Sequence, residues 1–149
     1  MRAQKYPMII FAVNTEKRPA EELLYVKESM HSGVIDVLPV TGSYKNVQEQ
    51  SYAAILPMPG QEKGQGFFIC QSIVELALAH KQESVLIVDA NGQAKLMFMN
   101  EELSEIDLGE FKAVPEDVAR MQESWTYDPR LNTYFICSKE PQPVVSDIL

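Results

Sequence analysis

Apolar and polar positions alternate along the chain in runs whose spacing defines a short series of elements. Tyr6 to Val13 (Tyr-Pro-Met-Ile-Ile-Phe-Ala-Val) is almost continuously apolar, as expected of a short strand covered on both faces. After the polar stretch Asn14 to Arg18, Pro19 can open a helix without losing a hydrogen bond. Leu23, Val26 and Met30 then recur at helical spacing, and Gly33 ends the run. Val34 to Val40 and Gln48 to Leu56 read as the second and third strands, joined through a polar elbow, Thr41-Gly42-Ser43-Tyr44. Pro57 to Gly66 holds two prolines and three glycines, which demands a loop, and a loop of that length beside a site can act as a lid. From Phe68 to His80, the positions Ile73, Leu76, Ala77 and His80 form one helical face, widened by Val74 and Leu78.

Ser84 to Ala90 and Gln93 to Met99 flank Asn91-Gly92, which predicts a two-residue hairpin turn with both residues at positive φ. The acidic stretch Asn100 to Glu110 carries no clear period. Beyond Phe111 to Pro115, a short helix from Pro115 to Gln122 and a last strand from Thr133 to Ser138 are predicted, separated by a loop around Tyr127-Asp128-Pro129. Trp125 and Tyr127 read as packing for that strand. The tail from Glu140, with Pro141 and Pro143, reads as loosely held. The order strand, helix, strand, strand, helix, strand predicts a ferredoxin-like α+β sandwich in a single domain, residues 1–149. It consists of an antiparallel sheet with two helices on one face, plus an added hairpin and a C-terminal extension. The opposite face of such a sheet needs a cover, so self-association is expected, most simply as a ring of subunits.

Composition narrows the partners. The 149 residues carry a formal charge of −8, which argues against nucleic acid, apart from a minor reading as a DNA mimic, and favours cationic ligands by long-range attraction. No apolar run approaches the roughly 20 residues of a membrane span, and nothing ahead of the first strand resembles a signal peptide. A cytoplasmic protein without membrane contact is expected. Cys70 and Cys137 each sit within an apolar run and read as buried free thiols. His31 and His80 lack ligand spacing, Gly60, Gly64 and Gly66 do not form a phosphate-binding pattern, and no G-x-S-x-G elbow occurs. Neither a metal nor a cofactor is expected.

The elbow and the strand after it are the most chemically distinctive stretch. Hydroxyls of Thr41, Ser43 and Ser51, the Tyr44 ring and the Glu49 carboxylate gather at one end of the sheet. A period of two places Glu49 on the same face as Ser51, Ala53 and Ile55. This stretch reads as the floor of a small-molecule site.

Thr41-Gly42-Ser43-Tyr44-Lys45 and Glu49-Gln50-Ser51 resemble the T-G-x-Y-[KR] and E-x-[ST] segments of the bacteriophage S-adenosylmethionine hydrolases, now regarded as lyases. Gly109-Glu110-Phe111-Lys112-Ala113-Val114-Pro115 is similar to that family's G-x-F-x-x-V-P. The resemblance runs from Tyr6 to about Pro115. It implies a ferredoxin-like homotrimer with sites between subunits that degrades S-adenosylmethionine and so starves host restriction enzymes. It further implies Glu49 and Tyr44 as catalytic residues: Glu49 binds the ribose hydroxyls or balances the sulfonium, and Tyr44 lies beside the reacting chain. Thr41, Gly42, Ser43 and Ser51 would contact the substrate.

Two reactions fit this substrate. In a lyase the substrate's own carboxylate displaces methylthioadenosine and closes homoserine lactone; in a hydrolase, water attacks with the help of a general base. The lyase is favoured, because intramolecular attack needs only a folded substrate, and no histidine or paired acid stands at the elbow to activate water. A trimeric adenine-nucleotide-binding regulator without activity is the alternative from another class.

Overall fold

The computed structural model describes residues 7–30, 34–57, 65–100, 102 and 104–139, with the backbone alone for 65–71. Its elements are β1 (Met8–Phe11), α1 (Pro19–Ser29), β2 (Asp36–Tyr44), β3 (Val47–Ile55), α2 (Gln65–Ala79), β4 (Ser84–Val88), β5 (Gln93–Phe98), β6 (Glu105–Val114), α3 (Glu116–Arg120), β7 (Ser124–Asp128) and β8 (Thr133–Ser138). The eight strands close into one antiparallel barrel in the order β1-β3-β2-β7-β8-β6-β5-β4, with β4 returning to β1.

Every residue of β1 is buried, and the reason is its central place. Ile9 and Phe11 point outward, where Val37, Tyr52, Ala54 and Val85 join Val26 of α1 and Ile73, Leu76 and Ala77 of α2. Met8 and Ile10 point into the barrel, against Val40, Ala53, Val88, Ala94 and Phe111. Burying each valine, isoleucine, leucine, methionine or phenylalanine among them is worth about 1.5–3 kcal/mol. A third cluster, Val114, Ala119, Trp125 and Ile136, seats α3 on the outside of β6, β7 and β8. Trp125 therefore packs.

The ferredoxin-like sandwich is overturned. The strands β4, β1, β3 and β2 do lie side by side beneath α1 and α2, but the sheet does not stop there. Strand β7 takes the free edge of β2, β5 takes that of β4, and β6 and β8 close the circuit. What reads as an added hairpin and a C-terminal extension is half of the barrel wall. The second apolar face of β1 is buried by the chain's own strands, so its pattern does not call for a ring of subunits.

Two turns also differ from expectation. The elbow Thr41 to Tyr44 is part of strand β2, and the reversal comes one step later at Lys45 and Asn46, both at positive φ (51° and 68°). In the β4–β5 hairpin only Gly92 has positive φ; the Asp89 carboxylate accepts hydrogen bonds from the backbone N–H groups of Asn91 and Gln93 at 2.8 and 3.0 Å. A three-residue loop, Ala90 to Gly92, which starts from this aspartate and is closed by the Gly92 N–H donating to the Asp89 carbonyl at 3.0 Å, replaces the two-residue one. The acidic stretch without a clear period forms β6 from Glu105, and of the loop expected around Tyr127-Asp128-Pro129 the first two residues belong to β7. The helix stop at Gly33, His31, residues 58–64 of the loop expected over Pro57 to Gly66 and the tail from Glu140 lie outside the described residues, as does the Cys70 side chain, while Gln65 and Gly66 of that loop already belong to α2.

Candidate active site

The β2–β3 hairpin carries all six residues singled out from the sequence. Its ladder pairs Val40 with Ser51, Thr41 with Gln50, Gly42 with Glu49, Ser43 with Gln48 and Tyr44 with Val47. Directly opposed residues in an antiparallel ladder project to the same face. Val40 and Ala53 point into the barrel, so Gly42, Tyr44, Glu49 and Ser51 share that inner side. Thr41 and Ser43 share the outer side with Gln48 and Gln50. The hairpin thus brings four candidates together and sends two to the opposite face.

On the inner face the residues differ sharply in exposure. Ser51 is 5% exposed and Tyr44 56%, and Glu49 is solvent-accessible. The face therefore runs from a dry floor to an open mouth. Glycine at position 42 keeps the floor open: a Cβ there would lie 3.1 Å from the Ser51 Oγ. The Tyr44 ring is covered in part by the Lys45 ammonium, 5.2 Å from the ring centroid.

The outer pair stands apart. Thr41 lines a shallow groove of about 310 Å³ with Pro19, Leu23, Pro39, Gln50 and Pro129. Ser43 is 6% exposed and lies opposite Trp125 on β7.

A second polar cluster escaped the sequence reading. Glu22 of α1 is only 8% exposed; its carboxylate accepts hydrogen bonds from the Tyr52 hydroxyl at 2.6 Å and from the Thr15 hydroxyl. Burial, then the bond to Glu22 and its charge, raise the Tyr52 phenol well above its ordinary range. Beside it, the Tyr25 hydroxyl meets His80 Nε2 at 2.8 Å, and His80 Nδ1 lies 3.1 Å from the Asn14 carbonyl. This cluster locks the loop after β1 to α1, α2 and β3. The available signal was the spacing of Glu22 and Val26, four apart on the buried side of α1.

An exposed carboxylate on the same face as the buried Ser51 hydroxyl suits a small ligand that carries positive charge. The architecture around it is a closed all-antiparallel barrel with two helices against one side, and these residues lie toward the tip of its β2–β3 hairpin. The S-adenosylmethionine lyase family matches the chain over residues 12–138, so the chain belongs to that family and is an S-adenosylmethionine lyase. No curated protein matches the chain in direct sequence comparison. The matched span takes in all six candidates together with β5 to β8, so the closing half of the barrel belongs to the family domain too.

Proposed function

We propose that the chain cleaves S-adenosylmethionine to methylthioadenosine and homoserine lactone by intramolecular displacement. A carboxylate oxygen of the substrate forms a bond to its own γ-carbon as the bond from that carbon to sulfur breaks. The electron pair passes to sulfur, the sulfonium becomes a neutral thioether, and no general base is consumed. The enzyme's task is then to hold the chain folded, and a well-oriented intramolecular reaction can draw about 7–11 kcal/mol from such positioning.

The observation that carries this reading is Glu49, directly opposite the bare Gly42 and on the same face as Ser51 and Tyr44, within a chain of the lyase family. Glu49 attracts the substrate's positive charge or accepts from its ribose hydroxyls, and Tyr44 covers the reacting chain. Gly42 and Ser51 form the floor. Thr41 reaches a ligand only from the other side of the hairpin, as it would in an assembly with sites between subunits, whereas Ser43 is buried on that side opposite Trp125. A homotrimer of that kind is part of the proposal. Tyr44 and Val47, both exposed at the hairpin tip, supply it with an apolar contact. A covering subunit also strengthens Glu49: charges 4 Å apart interact by about 1 kcal/mol in water but about 4 kcal/mol in a partly shielded site. The biological reading is phage anti-restriction in the host cytoplasm by depletion of S-adenosylmethionine. The rival regulator loses the ferredoxin-like likeness on which it rested.

The test is incubation with S-adenosylmethionine in heavy-oxygen water, followed by chromatography and mass spectrometry. Methylthioadenosine with unlabelled lactone is the expected result; labelled homoserine released directly means hydrolysis, and intact substrate means a binding protein. Glu49→Gln should abolish turnover while circular dichroism stays native. Full activity in that variant would remove Glu49 from the mechanism.

A further inference from the structure

We propose that Thr126, on β7, completes the notch over Gly42 and binds the carboxylate of the amino-acid end of the substrate, an assignment that rests on the S-adenosylmethionine reading above. Gly42 is paired with Glu49 on one side and with Thr126 on the other. Opposed residues share a face, so the Glu49 and Thr126 side chains rise on the same side with a glycine between them. Adjacent strands lie about 4.8 Å apart, which sets the two backbones roughly 10 Å from each other across an unfilled strip. That strip leaves room for the amino-acid end of the substrate folded back on itself, with its sulfonium toward one strand and its carboxylate toward the other.

The hydroxyls along the strip are unspent. Ser51 is almost fully buried, its Oγ borders the space above Gly42, and it forms no side-chain hydrogen bond among the described residues. Thr126 is half-buried and likewise forms none among the described residues. A buried hydroxyl without a partner costs about 1–3 kcal/mol, and a ligand acceptor placed there recovers it.

Charge decides the orientation. A zwitterionic amino-acid group with an added sulfonium turns its positive charges toward Glu49. Its carboxylate is repelled by Glu49 and meets the neutral O–H donor of Thr126, on the far side of Gly42. A hydroxyl donor holds the carboxylate without neutralising it, so an oxygen stays free to attack the γ-carbon.

Calorimetric titration of the full chain with S-adenosylmethionine and with its decarboxylated analogue tests this, alongside steady-state kinetics. Thr126→Val keeps a β-branched strand residue and removes only the hydroxyl. It should weaken S-adenosylmethionine binding by about tenfold or more, the worth of one hydrogen bond to a charged group, while binding of the decarboxylated analogue stays unchanged. Thr126→Ser should restore most of the loss. Equal weakening of both ligands, or none of either, overturns the assignment. Selective weakening without any methylthioadenosine formed by the wild-type chain leaves Thr126 in place as a carboxylate-binding residue and removes the lyase reaction instead.

Discussion

Glu22 shows how much a single residue can hide. In the sequence it is one of two adjacent acids in the first turn of an amphipathic helix; in the fold its carboxylate is buried beneath two hydroxyl donors. Removing one donor leaves part of that buried charge unsatisfied, so Tyr52→Phe should lower stability by about 1–3 kcal/mol. Urea denaturation reads this directly, and an unchanged midpoint would mean that the bond is not holding the helix to the barrel. The site residues present the opposite case. Glu49, Ser51 and Gly42 were legible because strand alternation places side chains by parity alone. Thr126 was not legible, because its position depends on which strand takes the far edge of β2.

At the scale of elements, glycine and turn chemistry decide how the strands join. Gly109 has φ +85° at the point where the β5–β6 register shifts, and a Cβ there would lie 2.3 Å from the Ser138 carbonyl oxygen. This is a bulge at which three strands meet, and only glycine admits β8 so closely. Gly109→Ala should cost about 2–4 kcal/mol, from left-handed strain of about 1–2 kcal/mol plus the clash with backbone. Gly92→Ala provides the control. It has nearly the same φ, +84°, but no atom within 4 Å of the added carbon, so it should show the strain alone. Thermal melts of the two variants side by side separate strain from close approach. The apolar runs themselves, including the two helices and the strands before Ala90, were readable because period and length distinguish them. β6 and β7 were not: their faces mix charged, small and aromatic residues, and their pairing depends on distant partners.

For the whole molecule, closure of the sheet matters most. Cys137 packs with Phe135 at the edge of the interior cluster, and burial raises its thiol to about 11. A raised value in the fold means full stability below the unfolded value near 9, lost as pH climbs toward the folded one. Between pH 8 and 10 the wild-type chain should lose on the order of 1 kcal/mol, and Cys137→Ala should flatten that slope. Above pH 10 the buried Tyr52 adds a loss of the same sign. Denaturation curves at pH 8, 9 and 10 measure the thiol's share separately. Among the described residues no helix is long and apolar enough to cross a membrane.

By itself the sequence determined the local elements, the doubly buried character of β1, the acidic surface and the polar stretch from Thr41 to Ser51. These follow from side-chain period and charge, which neighbours in the chain supply. Only the tertiary structure decided that the sheet closes into a barrel, that Thr41 and Ser43 turn away from Glu49, and that Thr126 stands across Gly42 from it. Edge pairing between strands eighty residues apart is set by backbone hydrogen bonds that any sequence can make. The choice among partners therefore rests on how the whole core packs.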